Sequence, residues 1–104
     1  MKIAVKSEDW VDIYLTNPFH ADKEFQLDIP HFRIEIKKNF YHPGAWNMQV
    51  LDSCGGICYS EAIHTKREND SAEAKTLAVQ GAYNYFRGKA AYFNDVASKL
   101  IKQE

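Results

Sequence analysis

No apolar run in this sequence approaches the roughly 20 residues that a membrane helix needs. The opening Met1-Lys2-Ile3-Ala4-Val5-Lys6 gives way to Glu8 and Asp9 rather than to a signal-peptide core. A cytoplasmic protein is the expectation, belonging to a host cell or to something that infects it. Cysteine is scarce: Cys54 and Cys58 are too few for a disulfide framework, and free thiols are the default in a reducing compartment. Charge of one sign is missing too, since 13 Lys+Arg against 14 Asp+Glu leave a net charge of -1. That balance removes the global pull used by most binders of nucleic acid or membrane surfaces, so any such contact needs a local patch. No repeat, low-complexity tract or linker rich in Pro, Gly and Ser divides the chain, and one domain over residues 1–104 is expected.

What is present is the composition of a folded protein, 45% hydrophobic with 26% charged residues. A chain of 104 residues typically buries roughly 60 to 70% of its unfolded surface, enough for a core of its own. Ile3 and Val5 suggest a first strand. Val11, Ile13 and Leu15 alternate as a second would, although Trp10, Val11, Tyr14 and Leu15 also fit one face of a short helix capped by Ser7. Asn17-Pro18 ends either element. Phe25, Leu27 and Ile29 alternate into Pro30, and Phe32, Ile34 and Ile36 alternate with Arg33, Glu35 and Lys37 between them. Tyr41-His42-Pro43-Gly44 has turn composition.

The stretch from Trp46 to Leu100 is the most legible. A two-residue Gly55-Gly56 turn predicts a hairpin with Ile57 opposite Cys54, Tyr59 opposite Asp52, Ile63 opposite Met48 and Thr65 opposite Trp46. That face is mainly apolar; Asn47, Gln49, Ser53, Cys58, Ser60, Ala62 and His64 form a polar reverse. Asp70 with Glu73 three residues on is a capping-box pattern. A stripe of Ala74, Leu77, Ala78, Gly81, Ala82, Tyr85, Tyr92, Phe93, Val96 and Leu100 then follows a 3.6-residue period. Its small residues predict close approach of helix to sheet, leaving room for Trp46 and Met48. Arg87-Gly88 resembles a helix end, while Lys89 to Lys102 is again helical, so a bend or break near Gly88 is expected. Tyr83, Phe86 and Tyr92 cannot all face the sheet, which leaves at least one exposed. The fold class is therefore α+β, an antiparallel sheet of about four or five strands on a long C-terminal helix.

Chemistry-bearing motifs are absent. C-x-x-x-C at Cys54 and Cys58 is not the C-x-x-C of redox or zinc sites. The predicted register points the two side chains to opposite faces, and a one-residue slip that paired them would turn Ile57, Tyr59 and Ile63 outward. His20, His31, His42 and His64 form no close pair. Cys58, Ser60 and His64 share a hairpin face, but strand neighbours two residues apart stand almost 7 Å from each other, too far for a nucleophile and its base. Gly55-Gly56 joins strands rather than leading into a helix, so it is no phosphate cradle.

Strands followed by an Ala-rich helix beginning Ser71-Ala72-Glu73-Ala74-Lys75-Thr76-Leu77-Ala78 resemble the end of a double-stranded-RNA-binding domain, over about Phe32 to Phe86. The resemblance implies an RNA-binding fold. Where that family places a lysine cluster at the helix start to grip phosphate, this chain has Asp70, Glu73 and only Lys75, so the shape carries over without the grip. Lys37, Lys38, Lys66 and Arg67, with Arg33, form a candidate basic edge.

By elimination the chain is expected to be a small non-enzymatic interaction module that binds a protein partner, as an inhibitor or modulator of a larger assembly of the phage or mobile-element type. The last inference rests on size alone. The contact residues expected are Arg33, Lys37, Lys38, Asn47, Gln49, His64, Tyr83 and Phe86, with no cofactor, no metal and no membrane. RNA binding is one alternative. An enzyme built on Cys58, Ser60 and His64 is another, and the apolar stripe from Leu77 to Leu100 also suits a homodimer.

Overall fold

A computed structural model describes residues 9–12, 24–39, 42, 44–68 and 70–100. The element order is β1 (Trp10–Asp12), β2 (Glu24–Ile29), β3 (Phe32–Lys38), β4 (Ala45–Asp52), β5 (Ile57–His64) and α1 (Ser71–Lys99). The strands form one antiparallel meander in sequence order, with β1 and β5 at its edges. An α+β architecture with a five-stranded sheet and one C-terminal helix is thus what the alternation foretold. Trp10–Asp12 takes the strand alternative, but with the other face inward: Trp10, paired with Leu27, is buried, and Val11 is 48% exposed, because the larger indole fills the core beside Leu27. Ile3, Val5, Ser7, the segment from Ile13 to Leu15 and Asn17-Pro18 lie outside the described residues.

Alternation places the core. Trp10, Phe25, Leu27, Ile34, Ile36, Trp46, Met48, Val50 and Ile63 are buried on the side of the sheet that meets Ala74, Ala78 and Ala82 of α1. Those three alanines are the only buried residues of the helix. The predicted small-residue seam is therefore present, and it lets α1 settle over β3, β4 and β5. Lys75 lies over the Phe25 ring at 4.2 Å, Phe86 meets Phe32 with ring centroids 4.8 Å apart, and Tyr85 stacks on Tyr59 at 4.9 Å. The aromatic pairs seal the end of the interface that the alanines open.

The β4–β5 hairpin differs from its predicted register by two residues: Ile63 pairs with Trp46, Glu61 with Met48 and Tyr59 with Val50. The cause is a wider loop. Asp52 accepts hydrogen bonds from the backbone N–H of Cys54 (2.9 Å) and Gly56 (2.8 Å) through one carboxylate oxygen, and its own N–H donates to Gly56 O at 2.9 Å. Ser53 to Gly56 thereby become the loop, with Gly55 at φ 83. An even shift keeps each side chain on its predicted face. Ile57 is the exception. A register irregularity next to Leu51 pairs it with that residue on the opposite face, where it is 61% exposed. Thr65 leaves the strand and donates its N–H to Gly44 O at 2.7 Å instead of facing Trp46.

The helix start is capped as expected on one side, Asp70 Oδ1 accepting from Glu73 N–H at 3.1 Å. The reciprocal half differs: Glu73 accepts from Lys66 N–H at 3.0 Å, tying the linker to the helix. The expected break near Gly88 is absent, since α1 runs unbroken from Ser71 to Lys99 and Gly88 is not among the positive-φ glycines. A helix-interior glycine costs about 1 kcal/mol relative to alanine, and the flanking Arg87, Lys89, Ala90 and Ala91 are good helix formers that carry the helix through.

Candidate interaction surfaces

The register sorts the polar side of the sheet into rows. Val11, Gln26, Glu35, Gln49 and Ser60 cross all five strands in one line, with Glu24, Lys37, Asn47 and Ala62 in the next and Asp28, Arg33, Leu51 and Ile57 beyond. Arg33, Lys37, Asn47, Gln49 and His64 of the predicted contact set therefore share this face, Asn47 and Gln49 by direct alternation with Trp46, Met48 and Val50. Lys38 has the opposite parity, paired with Trp46. The basic edge is not an edge: Lys37 and Lys38 sit on β3, flanked by β2 and β4. Long-range pairing order is invisible to a local charge pattern, which is why that expectation failed.

The charges on this face are mixed. Arg33 Nε donates to Asp28 at 2.7 Å, and the bond and the nearby charge hold the guanidinium pKa above its ordinary value. Glu35 is half-buried, and desolvation first, then the negative charge of Glu24, pushes its carboxyl above the usual range. The face thus offers paired and opposed charges rather than a positive stripe.

At one end of the sheet a cleft of about 340 Å³ lies between the β2–β3 turn and the β4–β5 loop, reached by His31, Arg33, Asp52 and Ser53. Pro30-His31 makes the turn, with Ile29 paired to Phe32. His31 adopts φ 70, the left-handed region that glycine favours. With Arg33 engaged by Asp28 and one Asp52 oxygen held by two backbone N–H groups, the cleft is organised by its own turns.

The third surface is helical, and sequence reasoning placed it wrongly. Tyr92, Phe93, Val96 and Leu100 follow the period of the sheet-facing stripe yet are 57%, 61%, 38% and 71% exposed. Phe86 is the last helix side chain packed on the core, and every residue from Arg87 to Leu100 is exposed. Length explains this. Twenty-nine helical residues span about 43 Å, whereas the eight-residue β4 and β5 span about 26 Å. The radius of gyration of 16.3 Å, against about 13 Å for a compact chain of this length, reflects the same overhang. Tyr83 is exposed as expected of at least one aromatic, and its hydroxyl accepts from Arg87 at 3.3 Å.

Among the described residues, no group of three or more His, Cys, Asp and Glu could hold a metal ion, and no helix is long and apolar enough to cross a membrane. Cys54 and Cys58 are free thiols, the first exposed in the loop and the second donating to Gly56 O at 3.8 Å. Ser60 and His64 are four residues apart on β5, a rise of about 13 Å. At the helix start, Asp70 occupies the Glu73 N–H that a phosphate would use, the Glu73 carboxylate is held by Lys66 N–H, and Lys75 is turned onto Phe25. In comparisons with known proteins, no family model, no curated protein and no solved structure matches this chain.

Proposed function

We propose that the protein is a small interaction module that binds a protein partner through the overhanging part of α1. The observation that carries this reading is the exposure of Tyr92, Phe93, Val96 and Leu100 beyond the end of the sheet. Singly exposed apolar residues are ordinary, but a contiguous patch on one helix face holds its components in water at a cost that only a partner removes. Phe93, Val96 and Leu100 stand at i, i+3 and i+7, the spacing by which a helix lays anchors into an apolar groove. Inhibition or modulation of a larger assembly is one use of such a module.

The RNA alternative draws less support, because the acidic cap, the engaged Lys75 and the mixed charges of the sheet face leave no continuous cationic track among the described residues. Affinity capture from the native cell, comparing the wild-type chain with Phe93→Glu and Val96→Glu, tests the proposal. Loss of a captured protein with the circular dichroism spectrum unchanged supports it. Capture that survives both substitutions, or a nucleic acid retained at low salt and released by added salt, refutes it.

A further inference from the structure

Resting on the reading of α1 as the contact element, we infer that a second copy of this chain covers the stripe, the two overhangs packing antiparallel. Phe86, Lys89, Phe93, Val96 and Leu100 are separated alternately by three and four residues, the spacing of a two-helix seam. Phe86 closes that seam against the body through Phe32. Four side chains therefore remain: Phe93 and Val96 on the helix, Leu100 at its cap and Tyr92 on the flank, where Lys89 lies over the Tyr92 ring at 5.6 Å.

The seam is self-complementary in one direction. Setting Phe93 against Val96 of the second copy brings Leu100 beside the aliphatic stem of Lys89, Tyr92 beside Lys99, and Ala90 beside Ala97, where small side chains allow the backbones to approach. The reciprocal contacts repeat the same set, as an isologous interface requires. Sterics select this direction over the parallel one: it carries the two sheets to opposite ends, whereas a parallel pair would press them together. Charge does not choose between them, since a parallel pair sets Lys89 beside Lys89 and the antiparallel register brings Lys89 level with Lys99 of the second copy.

The area is sufficient. At the exposures observed, the four side chains present about 400 Å² per copy. Pairing two copies covers about twice that before Lys89, Ala90, Ala97 and Lys99 are counted, which reaches the ~1,000 Å² of a specific interface at the small end of the range. Such an interface gives a reversible dimer rather than an obligate one.

Sedimentation equilibrium of the full chain tests this. The apparent mass should rise from 12.0 kDa toward twice that value as concentration increases. Phe93→Glu and Val96→Lys, both at exposed positions, should each weaken association at least tenfold without altering the circular dichroism spectrum. Mixed one to one, the two variants should associate again, because the register sets the introduced carboxylate of one copy against the introduced ammonium group of the other. A wild-type chain that stays monomeric up to about 1 mM overturns the inference, as does a dimer that both variants leave intact. A monomer that loses a captured protein partner on the same substitutions overturns self-pairing alone, and the interaction-module reading then stands with a different protein on the stripe.

Discussion

Glu61 on β5 lies so close beneath Gly81 of α1 that a methyl group at position 81 would overlap its Oε1, while its other oxygen accepts the Tyr59 hydroxyl at 2.6 Å. The glycine makes room for a carboxylate on the helix-facing side of the sheet, and the tyrosine satisfies that carboxylate. Gly81→Ala should therefore change stability by less than about 1 kcal/mol, the gain in helix propensity being offset by displacement of Glu61. In a Glu61→Ala background the same substitution should stabilise by about 1 kcal/mol, because the obstruction is gone. Urea denaturation of the four proteins of this cycle measures the coupling, and additive effects would show that the two residues do not restrict each other.

The Tyr59 pKa is held above its ordinary 10.0, first by the hydrogen bond to Glu61 and then by burial. A raised pKa means that the folded state keeps its proton where the unfolded state releases it, so stability should fall as pH rises past 10.0. Tyr59→Phe should flatten that fall. Ultraviolet titration of phenolate should show one late-ionising tyrosine lost in the variant.

Glu35 presents the same sign in acid. Its folded pKa is raised above 4.5 by desolvation and by Glu24, so the native state binds the proton more tightly than the unfolded chain. Its contribution is fully present below 4.5 and is lost as pH climbs through the raised value. Glu35→Gln should be more stable than the wild type at neutral pH and show a shallower loss above pH 4.5. Thermal melts from about pH 3.5 to about pH 7.5 would expose the difference, and parallel curves would mean that Glu35 is no more costly to ionise than an exposed carboxylate.

His31 occupies a left-handed backbone position, φ 70, directly after Pro30. Side chains there cost roughly 1–2 kcal/mol, partly balanced by the extra freedom of glycine in the unfolded chain. His31→Gly should stabilise the protein by about 0.5–1 kcal/mol, whereas His31→Ala should gain nothing. Chemical denaturation distinguishes the two.

Trp46 is fully buried, and its indole N–H has no hydrogen-bond partner among the described residues. Trp46→Ala should cost about 3–5 kcal/mol, as large-to-small core changes do. Trp46→Phe should cost markedly less, since removal of an unsatisfied buried donor offsets part of the lost packing. Equal losses in the two variants would indicate that the donor is satisfied in solution.

Much of the architecture was legible because it depends on local periodicity. Phe25, Leu27, Ile34, Ile36, Met48 and Ile63 each fell on the predicted face, and the alanine seam of α1 appeared where its period placed it. The hairpin register was missed because Asp52 recruited the Cys54 and Gly56 N–H groups into a wider loop, a competition that residue types alone do not decide. Of the predicted contact residues, Phe86 was absorbed into the core by Phe32, while Lys37 and Lys38 became interior-strand residues. Tyr92 and Phe93 were expected against the sheet and stand clear of it.

The sequence by itself determined which side of β2 to β5 and of the helix is apolar, because alternation at two and at 3.6 residues is a property of the backbone repeat; in β1 it pointed to Val11, whereas Trp10 is the buried residue. It also determined where the helix begins, through the Asp70 cap, while the Glu73 side chain went to Lys66 N–H instead of closing the capping box. Only the tertiary structure decided what each apolar stripe meets. That depends on strand order, loop width and relative length, all set by contacts between residues far apart in the chain. A helix of about 43 Å on strands of about 26 Å must leave part of its apolar stripe unmatched, and the residues left there are Tyr92, Phe93, Val96 and Leu100.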